Sequence, residues 1–254
     1  MVEFSLLCPT RERKNERNRF LISLVNTINN FDNVEILFAV DKDDIETQKD
    51  IEHSISTFSQ LKIKMFVRNR SIFLNRDYYN WLTGFANGNY YWITGDDLIF
   101  MSKDWDYYLL QRIKEYTITR QDRIFCIGPK DNTPRPSDKL PHFPCFPILT
   151  KEAVYALGFA LHPNAPTWGA DFITFKIFSD NHLNRMLIID DRVFINHVSW
   201  HTRQVSEDPV NKRIGGIFNK LKMIPLFNTD RILAEEVNKY ALYLQNWIEK
   251  QIVL

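Results

Sequence analysis

Asp96 and Asp97 are adjacent carboxylates that close an apolar, aromatic run, Gly88-Asn89-Tyr90-Tyr91-Trp92-Ile93-Thr94-Gly95. Paired carboxylates suit a hard divalent cation, because Mg²⁺ and Mn²⁺ prefer oxygen ligands and can bridge to the oxygens of a diphosphate. The run ahead of them, continuing through Leu98-Ile99-Phe100, reads as a strand buried on both faces. Such a strand delivers the aspartates to a sheet edge, where ligands bind in α/β folds. A turn with two solvated carboxylates would use the same residues, so the surrounding elements decide between the two.

Those elements alternate. Val2 to Cys8 reads as a buried strand ended by Pro9-Thr10-Arg11, and Lys14 to Asn30 as an amphipathic helix with Phe20, Leu21, Leu24, Val25 and Ile28 at helical spacing. A second buried strand, Val34 to Val40, ends at Asp41-Lys42-Asp43-Asp44 and leads into a polar helix reaching about Phe58. Leu61 to Val67 is a third strand, and Asn75 to Ala86 a helix that enters the aromatic run. Strand, crossover helix and strand in repetition predict a doubly wound, mostly parallel sheet.

Further along, Ser102 is the expected N-cap of a helix over Lys103 to Thr117, and Arg123 to Ile127 a strand stopped by Gly128-Pro129. The segment from Lys130 to Pro147 carries Pro134, Pro136, Pro141, Pro144 and Pro147, which predicts an irregular loop across the mouth of the site. Thr150 caps a helix to Leu157 with Gly158 as its stop, and a helix follows near Ala170 to Phe178. Met186 to Ile189 and Val193 to Ile195 are expected to pair across Asp190-Asp191-Arg192. The last helix, about Asp230 to Lys250, places Ile232, Leu233, Val237, Tyr240, Leu244 and Trp247 near one face, for packing on the domain or on a partner.

A chain of 254 residues with 44% hydrophobic side chains is ample for one globular unit. The formal charge of +1 offers no overall electrostatic case for a nucleic-acid or membrane partner. Cys8, Cys126 and Cys145 lack Cys-x-x-Cys spacing and read as reduced. No apolar segment of signal or membrane-spanning length occurs, so the expected location is cytoplasmic, with peripheral membrane contact through Lys212 to Lys222 as a weaker expectation.

The order of these motifs resembles the nucleotide-sugar-dependent glycosyltransferases of the GT-A fold, especially the inverting family 2 type. The similarity lies in Phe4 to Leu24, Val34 to Asp44, Asn75 through Phe100, Phe146-Pro147-Ile148-Leu149-Thr150-Lys151-Glu152-Ala153-Val154 with Gly158, Trp168-Gly169-Ala170-Asp171, and a late histidine. It implies an α/β, Rossmann-like GT-A domain over residues 1–205, a mostly parallel sheet flanked by helices. Residues 206–254 then form a C-terminal linker and helical extension.

The resemblance also implies roles. Pro9, Thr10, Arg11 and Asp41 line the nucleotide pocket, with Arg68 and Arg76 as diphosphate or base contacts. The family's Asp-x-Asp motif aligns with Thr94-Gly95-Asp96, so its first carboxylate is missing here, and Asp97 follows directly. Asp96 and Asp97, joined by His197 (or His201 four residues on), would hold Mn²⁺ or Mg²⁺, and Asp96 would also contact the donor. Asp171 resembles the general base, and Trp168 and Gly169 the sugar or acceptor platform. The implied reaction moves a sugar from a UDP-sugar or related donor to a glycan or lipid-linked acceptor with inversion; a retaining course stays open if Asp171 is not the base. The competing readings are a non-catalytic carbohydrate- or nucleotide-binding domain and a phage-type transferase acting on DNA bases. A sugar nucleotidyltransferase is disfavoured because no glycine-rich loop follows the first strand. An oligomer through the last helix is a further expectation.

Overall fold

Alternation inside the first strand sets the architecture. In β1 (Phe4–Pro9), Phe4, Leu6 and Cys8 enter one core and Leu7 the other. Parallel neighbours on both sides, β2 (Val34–Asp41) and β4 (Tyr90–Ile93), make it a central strand. With β3 (Lys62–Arg68), β6 (Cys126–Gly128), β8 (Ile148–Thr150) and β9 (Met186–Ile188) they form a seven-stranded sheet ordered β3-β2-β1-β4-β8-β6-β9. Only β8 runs against its neighbours, so the sheet is mostly parallel, as the alternating elements predict. The computed structural model describes residues 1–133, 143–165, 169–180, 183–198 and 230–252.

Helices cover both faces. On one, Phe20, Leu21 and Leu24 of α1 (Lys14–Thr27), Ile51 of α2 (Ile45–Thr57), and Trp105 and Leu109 of α4 (Trp105–Thr117) share a core with Phe4, Phe38 and Trp92. On the other, α5 (Lys151–Leu157), α6 (Ala170–Ser179) and α7 (Asp230–Ile252) contribute Ala153, Ile173, Ile177, Val237 and Leu244 around Leu7, Leu37 and Ile93. The last helix therefore packs on the domain, with Tyr240 and Trp247 partly buried. Thr150 caps α5 by accepting from Ala153 N–H, and Gly158 ends it at φ 80°.

Several expectations change. The aromatic run divides at Thr94–Asp97: β4 stays in the large sheet, while β5 (Leu98–Phe100) joins β10 (Phe194–His197) and β7 (Lys130–Asp131) in a small sheet ordered β5-β10-β7. Met186 to Ile189 and Val193 to Ile195 do not pair with each other. Both flank the 128–130 segment instead, where Ile189 N–H donates to the Gly128 carbonyl and Lys130 N–H to that of Val193. Lys130–Asp131 is thus a short strand in a segment expected to be irregular throughout. Residues 134–142 of that segment, and Lys212 to Lys222, lie outside the described residues. Ser102 does not cap α4; its Oγ accepts from Phe194 N–H at 2.8 Å, tying the start of α4 to β10 instead.

The expected helix over Asn75 to Ala86 is also broken. A wide π turn, Asn75–Tyr79, passes into one turn of α3 (Asn80–Leu82) and a 3₁₀ turn, Thr83–Phe85. The extra residue of a π turn re-aims side chains at functional sites, and here Tyr78 and Tyr79 are both buried.

Beneath β1 a polar knot holds strand entry in register. Glu35 accepts from Ser5 Oγ (2.6 Å), Asn87 N–H (2.6 Å) and Lys64 Nζ (2.7 Å), and Ser5 Oγ accepts from Gly88 N–H at 2.9 Å. A Cβ on Gly88 would lie 2.8 Å from the Glu3 carbonyl, so only glycine fits this approach. Burial pushes the Glu35 carboxyl up, but Lys64, Ser5 and Asn87 together hold it below its ordinary 4.5. Its contribution to stability is therefore full above pH 4.5 and lost as pH falls through the lowered value. Glu35→Gln should cost about 1–3 kcal/mol at pH 7 in urea unfolding, with the deficit shrinking on acidification. A deficit that stays constant down to pH 3 would contradict this account.

Candidate functional site

The turn Thr94–Asp97 sits at the C-terminal edge of three parallel strands, β2, β1 and β4. Thr94 turns back onto β1. Its hydroxyl and N–H both donate to the Leu7 carbonyl, at 2.9 and 3.0 Å, and its own carbonyl accepts from Tyr79 Oη at 2.9 Å. Threonine here locks the turn onto β1. Gly95 follows because a Cβ would stand 2.6 Å from Asp97 Oδ1; any side chain would push that carboxylate away.

Asp96 is 1% exposed. Its Oδ2 accepts from Thr10 Oγ1 at 2.5 Å and its Oδ1 from Arg13 Nη1 at 2.8 Å. Arg13 Nη2 continues to Asp97 Oδ2 at 3.2 Å, and the same oxygen lies 3.5 Å from His197 Nε2. Behind Thr10, the buried Arg17 donates to Thr10 Oγ1 at 3.1 Å and reaches Asp50 at 3.4 Å. Burial, reinforced by the charge of Asp97 and opposed by Arg13, pushes Asp96 up to about 6. Burial acts on Asp97 too, but His197 and Arg13 outweigh it and hold that carboxyl below its usual range.

His197 reaches Asp97 because β10 pairs antiparallel with β5, opposite Leu98. Val198 N–H donates to the Asp97 carbonyl at 2.9 Å. Thr133 Oγ1 is 3.0 Å from His197 Nδ1, Asn132 Oδ1 accepts from His197 N–H at 2.6 Å, and Phe146 meets the imidazole edge-on at 4.8 Å. The small sheet thus orients Nε2 towards the carboxylates.

At the end of β2, Asp41 is buried and held at both oxygens. Oδ2 accepts from Arg11 Nη1 at 2.8 Å, Oδ1 accepts from Tyr78 Oη, and Arg11 also reaches Asp43 at 2.9 Å. Pro9, Thr10, Arg11, Asp41, Asp96, Asp97 and His197 therefore lie along one edge. Arg76 is different: its guanidinium donates to the neighbouring Asp77 at 2.9 Å, lies 4.2 Å from the Phe73 ring centre, and is about half exposed. Arg68 lies over Tyr78 and Trp81.

Asp171 opens α6 after Gly169, whose φ is 82°, and its Oδ1 accepts from Phe172 N–H at 2.9 Å. Burial raises the Tyr79 phenol well above its usual value, and the charges of Cys8, Asp97, Asp96 and Asp171 add to this. Trp168 and His201 lie outside the described residues. Sequence reasoning missed Arg13, Arg17, Tyr78, Tyr79, Asn132 and Thr133. Arg13 and Arg17, four apart at the start of a predicted helix, left a usable signal; the tyrosines depend on the π turn and left none. Among the described residues no group of three or more His, Cys, Asp or Glu side chains is placed to hold a metal ion, and no helix is long and apolar enough to cross a membrane.

No family model matches this chain. No curated protein matches it by sequence. Solved structures do match by shape. S. aureus TarS 1–349 in complex with UDP superposes with a TM-score of 0.57 at 13% identity, over 77% of this chain and 60% of that one. The mannosyltransferase PcManGT from Pyrobaculum calidifontis, in complex with GDP-Man and Mn²⁺, gives 0.60 at 13% identity, over 95% and 74%. TarS 1–349 in complex with UDP-GlcNAc gives 0.56 at 13% identity, over 96% and 72%. In the TarS–UDP match this chain spans 60% of its neighbour's length. The chain has the α/β fold of these proteins, a mostly parallel sheet flanked by helices with a helix at the C-terminal end.

Proposed function

We propose that this chain is a glycosyltransferase that moves a sugar from a nucleoside-diphosphate sugar, a UDP-sugar in the first instance, to an acceptor hydroxyl. The observation that carries the reading is the convergence of Asp97 Oδ2 and His197 Nε2 at 3.5 Å beside Asp96, on the same strand edge as the Asp41 pocket. Neighbouring donors around an octahedral cation with bonds of about 2.1 Å lie about 3 Å apart. Asp97 and His197, with Asp96 beside them, would hold a Mn²⁺ or Mg²⁺ ion that neutralises charge on the donor. That the neighbours carry UDP, UDP-GlcNAc or GDP-Man with Mn²⁺ supports the same assignment.

In this reading Asp41, pre-oriented by Arg11 and Tyr78, meets the base or ribose, and Pro9, Thr10 and Arg11 line the nucleotide. Arg76 reaches the donor only by releasing Asp77. A bound divalent cation supplies charge neutralisation to the departing diphosphate. Asp171, in the first turn of α6, takes the acceptor hydroxyl proton as its oxygen attacks the anomeric carbon. Attack from the face opposite the leaving group inverts that centre. Trp168 and Gly169 shape the sugar side. The acceptor is a glycan or lipid-linked glycan, and residues 206–254 serve as linker and docking helix, with any membrane contact peripheral and the location cytoplasmic.

A donor screen for Mn²⁺-dependent nucleotide-sugar hydrolysis tests this. Asp97→Asn should lower turnover by about 10²-fold or more, as expected when charge stabilisation of the leaving group is removed. Hydrolysis at the wild-type rate would remove Asp97 from the cation site. Asp171→Asn should leave nucleotide affinity unchanged and reduce transfer to acceptor by roughly 10²–10⁴-fold. Retained transfer would end the base assignment and reopen a retaining course.

A further inference from the structure

Arg13 stands where a cation is wanted. It lies outside the motifs that suggested the site, in the loop between β1 and α1, with a non-helical backbone (φ −123°) after Glu12 in the left-handed region (φ 56°). Its guanidinium spans both carboxylates, 2.8 Å to Asp96 Oδ1 and 3.2 Å to Asp97 Oδ2. The second oxygen is the one that faces His197 Nε2 at 3.5 Å.

A divalent ion held by Asp97 Oδ2 and His197 Nε2 would share that oxygen with Nη2. Like charges a few ångströms apart repel strongly beside a buried group such as Asp96, where water screens poorly. Guanidinium and ion therefore exclude each other from this oxygen. Asp96 does not depend on Arg13 alone, because Thr10, backed by Arg17, holds its other oxygen. The carboxylate pair can thus survive the departure of the guanidinium, which is 24% exposed and forms planar, bidentate contacts suited equally to carboxylate or phosphate.

Resting on the donor reading above, we infer that Arg13 is an intramolecular competitor of the divalent cation. It occupies the Asp96–Asp97 pair until the diphosphate of a nucleotide draws the guanidinium away, so that nucleotide and cation bind cooperatively. Thermodynamic linkage makes the coupling reciprocal: the nucleotide tightens the cation by the same factor as the cation tightens the nucleotide. The device accounts for two adjacent buried carboxylates that carry enough negative charge to need neutralising when the site is empty.

The test is a Mn²⁺ titration of the full chain, followed by the electron paramagnetic resonance signal of free Mn²⁺, with and without UDP. Arg13→Gln should bind Mn²⁺ alone about tenfold more tightly than wild type, and UDP should improve Mn²⁺ binding less in the variant than in wild type. Arg13→Lys, which keeps the charge, should stay near wild type in the absence of UDP. Equal or weaker Mn²⁺ binding by Arg13→Gln would overturn the proposal. If Arg13→Gln does not fold, the wild-type titration still decides, because Mn²⁺ binding that UDP leaves unchanged also overturns it. Failure of UDP to bind wild type in calorimetry, with or without Mn²⁺, would instead sink the donor reading while leaving the Mn²⁺-only comparison of Arg13 variants intact.

Discussion

Two adjacent carboxylates withdrawn from water repel each other and lose hydration, so they persist only where neighbours supply donors and positive charge. Asp96 and Asp97 impose that requirement on much of this molecule. The loop after β1 answers with Thr10 and Arg13, α1 with Arg17 behind Thr10, and β10 with His197. The answer is unequal. Asp97 receives the imidazole and stays low, while the more deeply buried Asp96 is pushed up to about 6. Environments that drive neighbouring titratable groups apart are characteristic of functional sites, although structural ion-pair networks do so too.

The same requirement explains the small sheet. A single long strand through Phe100 would have carried Leu98 to Phe100 away along the large sheet. Breaking it at Gly95 allows Asp97 to fold back and lets β5 recruit β10, whose last residue is His197. Asn132 and Thr133, just beyond β7, then fix the backbone and ring of that histidine. Three short strands, each too small to be stable alone, are sustained by what they share with the core: Phe100, Leu98, Val193 and Ile195 are all buried there.

Shape alone does not carry function, since one fold hosts many chemistries. At 13% identity the likeness to TarS and PcManGT speaks to architecture. The functional argument comes from the site: Asp41, pre-oriented at the end of β2, and the Asp96–Asp97 pair at the end of β4, with His197 beside Asp97.

Much of this was legible in the chain. Apolar runs ended by Pro9, Asp41 and the Asp96–Asp97 pair marked three parallel strands and their shared edge, because strand alternation and turn chemistry are local properties. The helices α1, α5 and α6, and the packing face of α7, followed from 3.6-residue spacing and capping residues such as Thr150 and Gly158. Tertiary structure alone decided the rest. Whether Met186 to Ile189 pairs with Val193 to Ile195 or with Cys126 to Gly128 depends on which backbone partners lie within reach, and no local pattern encodes that. The π turn that buries both Tyr78 and Tyr79, the plugging of Thr94 into Leu7, and the bridging of Asp96 and Asp97 by Arg13 are contacts between residues many positions apart. Residue types could propose a cation site at the two aspartates; only the fold could place a guanidinium already inside it.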